Sequence, residues 1–117
     1  MKTLIIGGSG KIGKFFDKSN KKYLLTYYKN KIPNGIKFNL CKDNISLIIK
    51  KYNINKIVLL SAISDPDKCF KQKKISHLIN IKYTKNLISK IKNKNVHLIF
   101  ISTEFVYSGV KGNYSEN

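Results

Sequence analysis

Three glycines near the start of the chain have the spacing of a phosphate-binding turn. Gly7, Gly10 and Gly13 form Gly-x-x-Gly-x-x-Gly, and Gly8 with the last two forms Gly-x-Gly-x-x-Gly. They follow residues 2–6, an apolar run typical of a buried parallel strand. Glycines at such a strand end permit a tight turn and the close approach of a pyrophosphate. We therefore predict a dinucleotide site at this turn, with a glycine turn that holds no ligand as the alternative.

The end of the second predicted strand bears on which dinucleotide would bind. Residues 26–31 read Thr-Tyr-Tyr-Lys-Asn-Lys and contain no acidic residue to bond the adenosine ribose of NAD. Lys29 or Lys31 would neutralise a 2′-phosphate, although solvated lysines fit the same sequence. We expect NADPH or NADH as the cofactor, with a preference for NADP, and we include Tyr28 and Lys29 in its site.

The glycine turn belongs to a chain in which strands and helices alternate. Strands are predicted at 2–6, 23–28, 37–40, 57–60 and 96–101, and helices near 12–16, 43–52 and 75–92. We expect Ile12, Phe15 and Phe16 to point inward, Asp43 to cap the second helix, and residues 65–67 to break the chain. This alternation predicts an α/β fold of the Rossmann type, a doubly wound parallel sheet of about five strands with helices on both faces.

Composition narrows the class of protein. The chain has 117 residues, of which 42% are hydrophobic and 25% charged, as expected for one globular domain. It has no apolar run long enough to span a membrane and no signal-peptide pattern, so we expect a cytoplasmic protein. Cys41 and Cys69 lie too far apart for a zinc motif or a disulfide framework. His77 and His97 have no third ligand at a suitable spacing, and we expect no metal.

The strong positive charge has two explanations. The 23 basic residues are all lysine, against 6 acidic residues, for a net charge of +17. A basic nucleic-acid-binding domain is one explanation. However, Lys, Asn and Ile share A/T-rich codons, the lysines are spread along the whole chain, and arginine is missing from it. We favour a compositional bias and expect neither nucleic acid nor a membrane as a partner.

Several segments together resemble a known family. Residues 7–13, Gly-Gly-Ser-Gly-Lys-Ile-Gly, resemble the turn of the extended short-chain dehydrogenase/reductases. Residues 102–109, Ser-Thr-Glu-Phe-Val-Tyr-Ser-Gly, are similar to the Ser-Thr-Asp-Tyr-Val-Phe-x-Gly signature of the dTDP-4-dehydrorhamnose reductase family. Residues 61–69 resemble its Asn-Ala-Ala stretch and the Val-Asp-Lys after it, and Asn80 resembles its helix asparagine. The resemblance covers the whole chain in order.

The resemblance implies roles for individual residues. The pyrophosphate would be held by residues of the glycine turn: Gly7, Ser9, Gly10, Lys11, Ile12 and Gly13. Asn39 and Leu40 would lie near the adenine, where the family usually has Asp followed by an apolar residue. Ser61, Ala62 and Ile63 would lie along the cofactor. Thr103 would be the catalytic residue that bonds the sugar carbonyl oxygen, and Glu104, where Asp is usual, would contact the sugar.

The family's reaction also needs a Tyr-x-x-x-Lys pair on the helix after the last predicted strand. The spacings that begin at Tyr27 and Tyr52 precede Thr103, and the one that begins at Tyr107 crosses a glycine, so none fits. Residues 1–117 are therefore interpreted as the NAD(P)-binding N-terminal part of a reductase, inactive alone and without its C-terminal sugar-binding region. We expect either a fragment or a shortened gene.

The function implied is NAD(P)H-dependent reduction of a nucleotide-linked 4-keto sugar, with the nucleotide sugar as the partner of the full-length form. Two alternatives stay open. One is a non-catalytic dinucleotide-binding or regulatory module, which the missing Tyr-x-x-x-Lys pair favours. The other is a relative of the sugar-nucleotide epimerases and dehydratases, because these enzymes share this half of the fold.

Overall fold

The protein forms one parallel sheet in a computed structural model that describes residues 1–16, 20–103, 107–112 and 114–115. The strands of this sheet are β1 (Lys2–Ile6), β2 (Tyr23–Tyr27), β3 (Ile36–Lys37), β4 (Ile54–Leu59) and β5 (His97–Phe100). Their order is β3–β2–β1–β4–β5, and every neighbouring pair is parallel. The order reverses at β1, so a crevice forms where β1 and β4 end, as in Rossmann folds. The predicted fold class is confirmed.

Helices cover the sheet between the strands. They are α1 (Ile45–Tyr52), α2 (Pro66–Lys71), α3 (Lys73–His77) and α4 (Thr84–Ile91), with a π-helical segment, Leu78–Tyr83, between α3 and α4. The hydroxyl of Thr84 donates to the carbonyl of Ile79, five residues earlier, at 3.1 Å. The helix predicted at 75–92 is therefore present, but it contains a wide turn in its middle. None of the helices in the described part of the chain is long and apolar enough to cross a bilayer.

The core lies mainly on one face of the sheet, under α1 and α4. Its buried side chains are Leu4, Ile6, Leu24, Phe38, Ile45, Ile54, Ile57, Leu59, Leu87 and Ile91. A smaller cluster on the opposite face consists of Ile5, Leu25 and Val58, with Phe16 and Ile32 packed against it. Alternate residues of β1, β2 and β4 thus enter different clusters, which explains why each of these strands contains consecutive apolar residues.

Burial declines toward the β5 edge of the sheet. Within the described residues β5 pairs with β4 alone. Its apolar side chains Ile99 and Phe100 are 36% and 53% exposed. The β5 edge therefore carries apolar surface next to unpaired backbone groups.

The prediction that Ile12 and Phe15 point inward is wrong. Their side chains are 55% and 90% exposed. Between β1 and β2, the described residues form only one helical turn, a 3₁₀ turn at Gly13–Phe15. A turn of three residues is too short to present an apolar face, so Phe16 alone packs inward, with its ring edge on Tyr23 at 5.5 Å between centroids.

Two predicted helix boundaries also need correction. Asn44, not Asp43, caps α1, because Asn44 Oδ1 accepts from the N–H of Ser46 at 3.0 Å. Asp65 does not break the chain but begins α2, where its Oδ1 accepts from the N–H of Lys68 at 3.0 Å. Pro66 occupies the first helical position, which has no use for a backbone N–H.

Candidate functional site

A cavity of about 480 Å³ lies at the carboxyl ends of the central strands. Nine of the residues predicted to bind a cofactor line it: Gly7, Ser9, Gly10, Tyr28, Lys29, Asn39, Leu40, Ser61 and Ala62. These residues come from four separate loops, one after each of β1, β2, β3 and β4. The fold therefore brings together most of the positions that the sequence singled out, in the crevice where such sheets bind ligands.

The glycine turn packs directly against the end of β4. Gly7 has a φ of +92°, and a Cβ there would lie 3.0 Å from the backbone N of Ser61. The carbonyl of Gly7 accepts from the N–H of Gly10 at 3.0 Å, which closes the turn. Gly13 is buried behind the turn, where a Cβ would overlap the carbonyl of Gly8. Glycine is thus required at both ends of the turn for close packing.

Thr26 fixes the direction in which the turn leaves β1. Its side chain is 1% exposed, and its Oγ1 accepts from the N–H of Gly7 at 3.2 Å. Gly7 follows the last residue of β1. The Thr26 hydroxyl therefore accepts the hydrogen bond that a backbone carbonyl of the neighbouring strand would otherwise accept. The sequence predicts Thr26 as part of a strand and not as a site residue, although a polar residue at the end of an apolar strand was the available signal.

The turn offers donors to an anion. The backbone N–H groups of Ser9, Lys11 and Ile12 have no hydrogen-bond partner in the described part of the chain. Lys29 lines the cavity, and the described residues place neither Asp nor Glu in its wall. Unpaired backbone donors around a glycine turn, with a lysine nearby, suit a phosphate group.

The loop after β4 is held from the π-helical segment. Asn80 Oδ1 accepts from the N–H of Ile63 at 2.8 Å, and Asn80 Nδ2 donates to the carbonyl of Ile63 at 2.9 Å. The thiol of Cys69 donates to the same carbonyl at 3.2 Å. Ile63 itself does not line the cavity, but its backbone anchors Ser61 and Ala62, which do.

The structure brings several other predicted site residues less close to the cavity. Lys11 and Ile12 are exposed beside the turn, outside the lining, and Gly13 lies behind it. Thr103 is exposed three residues beyond β5 and is not in the lining. Glu104 lies outside the described residues. No cluster of three potential metal ligands occurs among the residues that the structure describes.

The wall of the cavity also contains residues that our sequence analysis did not assign to a site. Cys41 follows the predicted pair Asn39 and Leu40, and Ile75 and Ile79 face them from the helical side. The two isoleucines lie within the helix that the sequence predicts near 75–92. A spacing of four residues is typical of a helix face that packs into the core and equally of one that lines a cavity. The sequence therefore contained no signal that distinguished these two positions.

A short loop beyond β5 is closed by two tyrosines. The rings of Tyr107 and Tyr114 stack with centroids 4.7 Å apart. The Tyr114 hydroxyl lies 3.1 Å from Ser108 Oγ and accepts from the N–H of Lys111 at 2.9 Å. These bonds, with that of Ser108 foremost, lower the pKa of Tyr114 below its ordinary value because they stabilise the phenolate.

Solved structures with the same fold include reductases and dehydrogenases. The chain is 29% identical to a protein described as a hypothetical dTDP-4-dehydrorhamnose reductase from Sulfolobus tokodaii, with a TM-score of 0.83 over 99% of this chain and 44% of that one. The chain is 20% identical to the dTDP-4-dehydrorhamnose reductase of Bacillus anthracis in complex with NADP, with a TM-score of 0.70 over 96% of this chain and 40% of that one. It is 16% identical to the L-threonine dehydrogenase of Phytophthora infestans, with a TM-score of 0.75 over 88% of this chain and 36% of that one.

These structures are longer than this chain, which spans less than half of each. No curated protein matches the chain. The family model described as the RmlD substrate binding domain matches residues 1–117. This match and the fold confirm the resemblance seen in the sequence, and the chain belongs to the RmlD substrate binding domain family.

Proposed function

We propose that this chain is the cofactor-binding part of an NAD(P)H-dependent reductase that acts on a nucleotide-linked 4-keto sugar. The observation that carries the proposal is the cavity in which the glycine turn meets the loops after β2, β3 and β4. Membership of the RmlD substrate binding domain family supports the reductase class. Because the chain spans less than half of the similar reductases, the complete activity would belong to a longer protein.

The residues of the cavity and of the glycine turn beside it fit a dinucleotide. The N–H groups of Ser9, Lys11 and Ile12, which have no partner among the described residues, would donate to the pyrophosphate. A carboxylate in the wall would repel the phosphates, and none of the described lining residues carries one. When bound, the nicotinamide would supply the hydride for the keto carbon. The hydroxyl of Thr103 would donate to the carbonyl oxygen of the sugar, and Glu104 would contact the sugar.

The nicotinamide dinucleotide that we propose is the phosphorylated form. Lys29 follows the end of β2, beside the position of the adenosine ribose in this fold, and lines the cavity together with Tyr28. Its ammonium group would neutralise a 2′-phosphate. Lys31 is exposed and outside the lining, and so provides a matched control.

This preference can be measured as the ratio of the dissociation constants for NADH and NADPH. In Lys29→Gln we expect the ratio to fall by about tenfold, since the loss of one phosphate contact costs about 1–3 kcal/mol. Lys31→Gln should leave the ratio unchanged. An equal effect of both substitutions would show that Lys29 has no special role and that the chain responds only to net charge.

The proposal as a whole is tested by titrating the chain with NADPH and following nucleotide fluorescence. The native chain should bind and saturate at one NADPH per chain. Gly10→Val should weaken binding at least tenfold, because a Cβ there already lies 3.2 Å from the carbonyl of Gly7 and the branches would enter the cavity. Gly112→Val is the control, since no atom lies within 4 Å of a Cβ at that position. Equal affinities of the two variants would contradict the proposed site.

A further inference from the structure

In the described part of the chain, acidic side chains occupy only one end of the sheet. There are three, and each lies beyond the carboxyl end of a strand. Asp43 is in the loop after β3, and Asp65 and Asp67 are at the start of α2, after β4. They therefore share the end of the sheet that holds the cavity. At the opposite end, where the strands begin, the described residues include no acidic side chain.

Lysines are abundant at that opposite end. Helix α1 leads directly into β4, and α4 ends a few residues before β5 begins. The last turns of both helices thus lie beside the first residues of the strands, as in parallel sheets generally. Six lysines lie there, five exposed and the first half-buried: Lys2, Lys22, Lys50, Lys51, Lys90 and Lys94. These six form a surface that we call the amino-end face.

Backbone hydrogen bonds hold the parts of the amino-end face together. The N–H of Lys2 donates to the carbonyl of Asn53, at the end of α1, at 3.1 Å. The N–H of Thr3 donates to the carbonyl of Lys22 at 2.8 Å, which joins the start of β2 to the start of β1. The N–H of Lys94 donates to the last residue of α4 at 2.9 Å. The lysines are therefore carried by a fixed backbone and not by a loose terminus.

Helix stabilisation explains only half of this face. Lys50 and Lys51 lie in the last turn of α1, and Lys90 lies in the last turn of α4. A cation in that position interacts favourably with the partial negative charge of the helix end. The other three lysines lie outside these last turns, at the starts of β1 and β2 and before β5. The helix ends do not account for them.

The side chains around the amino-end face favour one class of polyanion. Single-stranded nucleic acid needs exposed aromatic rings on which its bases stack, and none of the exposed aromatic side chains among the described residues lies on this face. A lipid surface is bound through several apolar side chains as well as through charge. In the described chain Met1 is the only large apolar side chain exposed there. A duplex needs neither feature, because its closely spaced phosphates attract point charges.

We propose that the amino-end face binds the phosphate backbone of double-stranded nucleic acid, at the end of the molecule opposite the cavity. Its ammonium groups, which have no acidic neighbour in the described chain, attract the phosphates and release their counterions. Lysine lacks the planar fork with which arginine reads the edge of guanine, so binding is independent of sequence. Composition alone did not favour this partner, because the lysines are spread along the sequence; the fold brings these six together.

The test measures the binding of two labelled DNA duplexes of unrelated sequence, each of about 20 base pairs, by fluorescence anisotropy at several salt concentrations. We expect equal affinities of the native chain for the two duplexes. The double variant Lys22→Gln with Lys94→Gln should bind at least tenfold more weakly at about 0.1 M salt. Its slope of log affinity against log salt concentration should be smaller by about two, one for each lost phosphate contact.

The matched control is the double variant Lys71→Gln with Lys74→Gln. It removes the same charge from exposed positions on α2 and α3, which follow the carboxyl end of β4. This variant should retain the native affinity and salt slope. Equal losses in the two double variants would show that binding depends on net charge alone and would overturn the inference.

A second measurement uses only the native chain and NADPH. Since the amino-end face and the cavity lie at opposite ends of the sheet, saturating NADPH should leave the affinity for the duplex unchanged. Displacement of the duplex by NADPH would place the polyanion in the cavity and overturn the inference. A chain that binds the duplex but not NADPH would contradict the proposed function and leave this inference standing.

Three further results with the native chain would also overturn the inference, and none of them needs a variant. The first is no binding of either duplex at about 0.1 M salt, where several phosphate contacts still give measurable affinity. The second is tighter binding of a single strand of the same length, which would indicate base stacking. The third is binding to phosphatidylglycerol vesicles without binding to the duplexes, which would indicate a lipid surface as the partner.

Discussion

Two polar side chains hold the backbone that lines the cavity. Thr26 binds the N–H of Gly7 where the chain leaves β1, and Asn80 binds both backbone groups of Ile63 after β4. Their shared consequence is that the loops on either side of the site keep a fixed geometry before any ligand arrives, which reduces the cost of ordering them on binding.

The role of Thr26 is tested by two substitutions of similar size. Thr26→Val removes the acceptor and leaves the half-buried N–H of Gly7 without its partner, which costs about 1–3 kcal/mol. We expect weaker NADPH binding and a lower unfolding temperature in Thr26→Val. Thr26→Ser retains the hydroxyl and should restore NADPH affinity, measured by the same titration, even though it loses a buried methyl group.

A second explanation of weak binding in Thr26→Val is that the substitution destabilises the whole protein. A variant in the core controls for this effect. Ile57→Val removes one methylene from a fully buried side chain that does not line the cavity. It should lower stability by about 1 kcal/mol and leave the NADPH dissociation constant unchanged. If Thr26→Ser binds as weakly as Thr26→Val, the hydroxyl has no part in positioning the turn.

Among the elements, the helix from α3 to α4 has the least regular geometry, and its irregular turn holds Asn80. The π-helical segment places Asn80 within reach of the loop after β4, while Leu87 and Ile91 of α4 are buried in the core. An added residue in one turn of a helix rotates the residues on either side of it relative to each other. One end of this helix therefore packs into the core, and the irregular turn holds a loop that lines the cavity.

We predict that Asn80→Ala loosens residues 61–63 and weakens NADPH binding. The two lost hydrogen bonds together stabilise the loop by about 1–3 kcal/mol. Asn86→Ala is the matched control, because Asn86 is exposed on α4 and its side chain makes no hydrogen bond within the described residues. Amide hydrogen exchange at Ala62 and Ile63 should become faster in Asn80→Ala only. Unchanged exchange there would show that Asn80 does not anchor the loop.

The sequence predicted the elements better than it predicted their ends. The apolar runs and their spacing were sufficient for the strands and for α1 and α4, because burial of a whole face determines these elements. The boundaries depended on single hydrogen bonds. Asp43 was available to cap α1 but is engaged by Asn39, and Asp65 with Pro66 begins a helix where a break was predicted. Such choices between equivalent side chains depend on tertiary contacts.

The candidate site shows the same division. Gly7 and Gly10, which the spacing singled out, and Ser9, which the resemblance added, all line the cavity, and their role in binding a cofactor stays a prediction. Thr26 and Cys41 were missed because their places in the wall depend on how β2 and the loop after β3 meet the turn. Lys11 and Ile12 were predicted at the pyrophosphate, and they lie beside the turn with exposed side chains. Their backbone N–H groups, which the sequence pattern does not describe, remain available there.

At the scale of the whole molecule, the β5 edge of the sheet differs from the rest of the chain in its lack of charge. The lysines are spread along the chain, but residues 95–103, which contain β5, have no charged residue. Exposed apolar side chains occur there together with a strand edge that pairs with no further strand among the described residues. Neither a lysine nor a proline within residues 95–103 protects this edge. A chain with a net charge of +17 otherwise resists association through electrostatic repulsion.

We therefore expect the 117-residue chain to self-associate through the β5 edge, and more strongly at high salt, where repulsion is screened. Ile99→Lys and Phe100→Lys should each shift the sedimentation profile toward monomer. Leu47→Lys is the control, because Leu47 is 67% exposed on α1, away from this edge. Equal effects of all three lysines would mean that added charge alone, and not the β5 edge, governs association.

The central claim is that the cavity at the strand ends binds a nicotinamide dinucleotide through the glycine turn. The most direct measurement is an amide chemical-shift map of the 13.4 kDa chain titrated with NADPH. We predict saturable shifts at Ser9, Lys11 and Ile12, at Leu40 and Cys41, and at Ser61 and Ala62, with residues of α1 unaffected. Shifts spread over the lysine-rich surface, or no shifts at the glycine turn, would contradict the claim.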